Sequence, residues 1–136
     1  MKANELMIGD YIMLYDDIYI IEEISSNGWA HIIYNDGSKC RVPLSTDYIL
    51  GELTPVPLTP EILEKNGFDV SDKEVMQYHF DEDGEKYHFS LRQMYEKDGK
   101  PHGYSFYAFN VLTLLDYVHE LQHALKLCDI NKEIEL

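Results

Sequence analysis

Several kinds of residue are scarce in this chain, and each scarcity removes a class of protein. Only 11 of its 136 residues are Lys or Arg against 25 Asp or Glu, a formal charge of −14. Such a surface repels phosphate backbones and anionic bilayers, so direct nucleic-acid binding is not expected. Cysteine is limited to Cys40 and Cys128, far apart and without CxxC or Cys-His spacing. A disulfide scaffold is thereby excluded, and two free thiols packed as small hydrophobes are expected. No apolar run approaches the roughly 18 residues of a membrane helix. Glu5, Asp10, Asp16 and Asp17 break up the opening stretch, which argues against a signal peptide and for a cytoplasmic protein. GxSxG, Walker and Rossmann signatures are absent, so no cofactor is expected.

What is present is an ordinary globular composition, 45% hydrophobic and 26% charged, enough to bury a core. The organisation changes near residue 58. Before it, runs rich in Ile, Tyr and Val (Tyr11–Tyr15, Ile18–Ile24, Trp29–Tyr34, Lys39–Leu44) alternate with turn signals at Asp16-Asp17, Ser25-Ser26-Asn27-Gly28 and Asn35-Asp36-Gly37-Ser38. This is a β-meander, and a small antiparallel SH3-like barrel over residues 1–58 is the economical way to hide its apolar faces. In Met7-Ile8-Gly9-Asp10-Tyr11-Ile12, Gly9 permits a tight turn into the first strand.

Residues 59–136 read as an antiparallel sheet with a short helix and a C-terminal amphipathic helix. Thr59 can cap a helix Pro60–Asn66, with Pro60 at its first position, Leu58 and Leu63 at staple spacing, and Gly67 closing it. Strand-like runs Val75–Phe80, Lys86–Leu91 and Gly103–Phe109 follow. Val111, Leu114, Leu115, Val118, Leu121, Leu125 and Cys128 then line one stripe, predicting a helix over Val111–Leu127 anchored by Leu115, Val118, Leu121 and Leu125. The fold class is therefore α+β, with subdomains 1–58 and 59–136 expected to pack as one compact unit. Their charges are similar, net −6 and net −8, which indicates solvated faces and no acidic tail.

The opening Met1-Lys2-Ala3-Asn4-Glu5-Leu6-Met7-Ile8-Gly9-Asp10-Tyr11, the middle Pro57-Leu58-Thr59-Pro60-Glu61-Ile62-Leu63-Glu64-Lys65-Asn66-Gly67-Phe68 and the late Tyr117-Val118-His119-Glu120-Leu121-Gln122 carry a resemblance. Together they resemble a family of small Bacteroides-type bacterial proteins whose genes lie among mobile-element or phage-like genes. The resemblance implies a shared fold over nearly the whole length. It implies no activity, cofactor or catalytic residue. Relatives read approximately VHQLQN where this chain has Val118-His119-Glu120-Leu121-Gln122-His123, so the departures fall at Glu120 and His123.

Those departures create the one motif with catalytic content, the HExxH match His119-Glu120-Leu121-Gln122-His123. Two histidines a helical turn apart can hold one zinc ion, and the adjacent Glu can serve as base toward its water. The stretch after His123 offers only Asp129, Glu133 and Glu135 as a third ligand, and extended downstream patterns are absent. At about 100° per residue the three side chains fall away from the apolar stripe, so an exposed polar helix face is expected, with neither a catalytic nor a metal site. His79 and His88, flanking Asp81, Glu82 and Asp83, are read as a solvated hairpin; Asp81-Glu82-Asp83-Gly84-Glu85 lacks calcium-loop spacing and is read as a turn.

The remaining signal is aromatic: 11 Tyr, 5 Phe and 1 Trp. Most should pack the two sheets, yet Tyr and Trp also suit recognition surfaces. The leading expectation is a non-enzymatic cytosolic adaptor that binds another protein. The alternative from another class is a small zinc-dependent hydrolase using His119, Glu120 and His123. A further alternative is an acidic nucleic-acid mimic.

Overall fold

The computed structural model describes residues 6–43, 53–108 and 111–136, and the chain divides into two units, Met1–Val56 and Pro57–Leu136. Both are built mainly of antiparallel sheet, an α+β architecture with few helices. No helix among the described residues is long and apolar enough to cross a membrane.

The first unit begins with a turn that the Met-Ile-Gly-Asp sequence builds for itself. Gly9 has φ +92°, the Asp10 N–H donates to the Met7 carbonyl at 3.2 Å, and the Met7 N–H donates to Asp10 Oδ2 at 2.6 Å. Asp10 is fully buried, so this charge-assisted bond offsets part of its desolvation. Strands β1 (Tyr11–Leu14), β2 (Asp17–Ile24), β3 (Trp29–Tyr34), β4 (Lys39–Pro43) and β5 (Leu53–Pro55) follow. They form one sheet in the order β4-β3-β2-β1-β5. Ile12, Ile21, Ala30, Ile32 and Val42 form its core with Leu6, and a register shift between Ile21 and Glu23 bends β2. No closed barrel occurs among the described residues: the sheet ends at β4 on one side and β5 on the other. The first turn also differs from expectation. It turns at Tyr15-Asp16, both with positive φ (50° and 69°), and not at Asp16-Asp17. The expected strand ends Leu44 and Phe109 lie outside the described residues.

In the second unit, α1 (Pro60–Lys65) forms as its signals predict. Thr59 Oγ1 accepts from the Ile62 N–H at 3.4 Å, Leu58 and Leu63 are buried, and Gly67 has φ +84°. Strands β6 (Val75–Glu82), β7 (Glu85–Tyr95), β8 (Pro101–Ala108) and β9 (Val111–Leu115) lie in that order, followed by α2 (Val118–Leu127). The expected helix over Val111–Leu127 is therefore corrected. Its first five residues are a strand paired with β8, with Phe106 opposite Thr113 and Tyr104 opposite Leu115. A short run of branched apolar residues satisfies either period, and the neighbouring β8 decides it. Leu115, Val118, Leu121 and Leu125 are all buried as expected, whereas Leu114, placed on the same stripe, is 50% exposed because it sits on a strand.

Candidate functional site

The HExxH segment lies at the start of α2, and its three functional residues have three different environments. Glu120 occupies the third helical position, and its Oε2 accepts the backbone N–H groups of Asp116 (2.6 Å) and Tyr117 (3.1 Å). That is the reciprocal half of a capping box: the carboxylate satisfies donors that the helix start leaves open and lies at the favourable end of the helix dipole. Its Oε2 is thus directed at backbone, away from the role of a base activating a metal-bound water.

His119 is 3% exposed, which corrects the expected exposed helix face. The stripe through Val118, Leu121 and Leu125 keeps its expected phase, but with β9 ending at Leu115 His119 lies in the first turn of a shorter helix. Its ring stacks on Tyr117 (centres 5.9 Å apart, planes 10°) and meets His123 edge-on (5.7 Å, 77°). His123 is half-buried. Helical spacing thus brings the two imidazoles together, but Asp129, Glu133 and Glu135 do not join them: among the described residues no group of three or more His, Cys, Asp or Glu is arranged to hold a metal ion.

The β6–β7 hairpin turns at Asp83-Gly84, with φ 50° and 81°. These values fit the two-residue turn whose twist matches paired strands, so the acidic run is a turn, as read from sequence. Glu85 accepts the Tyr87 hydroxyl at 2.5 Å. His79 and His88 come directly opposite each other on exposed positions. Nearby, the Asp69 carboxyl is held below the usual carboxylate range, first by hydrogen bonds from Ser71 and in smaller part by the His79 charge. Cys40 is exposed and Cys128 half-buried, both free thiols, with burial pushing the Cys128 thiol up.

Sequence reasoning did not find the grouping on the outer face of β2–β4. The Arg41 guanidinium lies 4.2 Å from the centre of the Trp29 ring, and His31 Nδ1 is 3.3 Å from Glu23 Oε2. Register builds the patch: Glu23 is opposite His31, His31 opposite Arg41, and Trp29 opposite Pro43. A Trp and an Arg twelve residues apart across an Asn-Asp-Gly-Ser hairpin are the only sequence signal for it. Elsewhere the rings pack as cores do: Phe89 stacks on Phe106 at 4.4 Å, and Phe68 contacts Tyr78 and Phe89. No protein-family model, curated protein or solved structure matches the chain.

Proposed function

We propose that this chain is a non-enzymatic, cytoplasmic module that binds another protein through the outer face of β2–β4. The observation that carries the reading is the Arg41 guanidinium stacked 4.2 Å over Trp29. Trp and Arg are the residue types that most often dominate binding energy, and a cation–π stack holds both side chains in place before contact, which lowers the ordering cost of association. The adjoining Glu23–His31 pair supplies a polar rim. Commitment of the Glu120 carboxylate to the start of α2 supports the binding reading over the hydrolase reading. The charge of −14 supports a protein partner over a nucleic acid.

An SH3-like barrel remains the finer reading of the first unit. The strand order supports it, because the chain returns after β4 to lay β5 beside β1, leaving β4 and β5 as the two edges that closure would join. Backbone NOEs between Lys39–Pro43 and Leu53–Pro55 would establish closure, and free edges at both would dismiss it.

The binding reading is tested by native-lysate capture on the wild-type chain and on folded Trp29→Ala and Arg41→Ala variants. A protein retained near one equivalent by the wild type and lost by about tenfold or more in both variants is the expected result. Retention indifferent to both substitutions would remove this face from the proposal. One equivalent of zinc in the purified chain, with turnover lost in Glu120→Gln, would put the hydrolase first.

A further inference from the structure

The outer face of the β6–β7 hairpin brings together two imidazoles that the adaptor reading does not use. Asp83-Gly84 fixes the register of an eight-pair ladder, and within it His79 is opposite His88. Counting back from the turn, Glu82–Glu85 closes it as a hydrogen-bonded pair, and the alternation of an antiparallel ladder makes His79–His88 a non-hydrogen-bonded pair. Such pairs hold their side chains closest, with Cβ atoms about 4.5–5.5 Å apart. The ring centres here are 6.1 Å apart and the planes 51° from each other.

Two imidazole nitrogens bound at about 2.1 Å to one tetrahedral ion put their ring centres about 5 Å apart. Side-chain rotation alone can close that gap, since both residues are exposed and the backbone register is already correct. The surroundings are polar and balanced in charge, so the imidazoles themselves carry the selection. Gln77 and Ser90 form the next pair on this face, with Gln77 Nε2 donating to Ser90 Oγ at 3.3 Å, and Asp81 opposite Lys86 forms the pair toward the turn. Asp69 bridges to Gln77, one strand beyond, and its carboxyl senses the charge of His79. Among the described residues the charged groups on this face are thus Asp69 and Asp81, balanced by Lys86 and, further along β7, Arg92.

We propose that His79 and His88 form a cross-strand, two-imidazole chelate for a borderline divalent transition ion, with water completing its shell. The chemistry selects the ion class. Imidazole suits copper, nickel and zinc in the order Cu²⁺ above Ni²⁺ and Zn²⁺, whereas Ca²⁺ and Mg²⁺ need oxygen ligands that this pair lacks. Bound ion ties β6 to β7 and stabilises the hairpin by mass action, so the melting temperature rises with ion concentration.

The test is calorimetric titration of the full chain with Ni²⁺ alone at pH 7.5, with thermal melts in parallel. One equivalent bound, weakened about tenfold or more in His79→Asn and equally in His88→Asn, is expected, because either change removes the chelate. His123→Asn should bind as the parent does, which separates this site from the histidine pair on α2. Two nitrogen ligands in the electron spin resonance spectrum of the Cu²⁺ form, reduced to one in either hairpin variant, would supply an independent reading. Parental affinity in either hairpin variant, or a loss that follows His123→Asn, would overturn the proposal.

Discussion

The carboxamide of Asn66 pairs with the backbone of Glu135 as a neighbouring strand would. Its Nδ2 donates to the Glu135 carbonyl at 2.7 Å, and its Oδ1 accepts the Glu135 N–H at 2.7 Å. The same Nδ2 also donates to the Ile62 carbonyl at 2.8 Å, so one side chain at the C-cap of α1 joins that helix to the stretch holding buried Ile130 and Ile134. Asn66 is 2% exposed, so water cannot replace these bonds readily. Asn66→Ala should therefore cost about 2–3 kcal/mol, the loss of a buried network and not of one exposed bond. Asn66→Asp should cost more, because it turns a double donor toward two carbonyls into an acceptor. Denaturant midpoints of the two variants against the parent measure both, and an Asn66→Ala midpoint equal to the parent's would contradict the pairing.

Glu120 separates a cap from a catalytic base by a different pattern of substitutions. As a cap it accepts two backbone N–H groups, so Glu120→Ala should destabilise by about 1 kcal/mol. Glu120→Gln keeps an accepting oxygen and should lose less than half of that. Thermal melts of the two, with metal content measured on the same samples, decide the matter; equal stability of Glu120→Ala and the parent would leave the capping role without energetic content.

The parts legible in the sequence are those whose signals are local. Thr59, Pro60, Leu63 and Gly67 lie within nine positions and agree, so α1 was readable to within one residue. The β9–α2 joint was not, for two physical reasons. Val111–Leu115 fits either period and is settled by pairing with β8, a long-range contact. The N-cap of α2 is Tyr117, a residue type outside the usual capping set, so the box that Glu120 completes was hidden and Glu120 read as part of HExxH. The exposure of His119 was misread although the stripe through Val118, Leu121 and Leu125 kept its phase, because its ring packs on Tyr117 and against His123, contacts that periodicity does not encode. The opposition of His79 and His88 follows from counting back from Asp83-Gly84, while the Trp29–Arg41 stack depends on side-chain placement across β3 and β4 that no periodicity encodes.

The β1–β2 turn stores strain that substitution can relieve. Tyr15 and Asp16 hold φ values of 50° and 69°, and Tyr15 is 72% exposed, so its ring contributes little burial where it stands. Replacing the pair by Asn-Gly, the dipeptide best suited to a turn with two positive φ values, should stabilise the chain by about 1 kcal/mol. The gain is bounded because glycine also frees the unfolded chain. A lower melting temperature in Tyr15→Asn/Asp16→Gly would mean that the tyrosine ring does more than the backbone strain.

Gly103 in β8 faces the joint where β9 gives way to α2, and it should tolerate no side chain. Its φ is +56°, and a Cβ there would lie 2.1 Å from Asp116 Oδ1, 3.1 Å from Asp116 Cγ and 3.2 Å from the Leu115 carbonyl. The carboxylate could rotate aside, but the carbonyl is backbone in the adjoining strand and cannot. Asp116 is itself held from three sides: its N–H donates to Glu120 Oε2 at 2.6 Å, its carbonyl accepts the Leu58 N–H at 2.9 Å, and it adjoins the N-cap. Displacing it would loosen both the start of α2 and the entry to α1. Gly103→Ala is therefore expected to cost about 2–3 kcal/mol, of which about 1 kcal/mol is the positive φ and the rest the clash. Pairing it with Asp116→Ala isolates the carboxylate's part of the clash, since that change leaves the Leu115 carbonyl and the positive φ as they are. The double variant should recover part of the loss relative to the sum of the single ones, giving a coupling of about 1 kcal/mol in a double-mutant cycle read from denaturant midpoints. Strict additivity would show that Asp116 yields freely, and a Gly103→Ala chain as stable as the parent would show that β8 and the β9–α2 joint do not approach this closely.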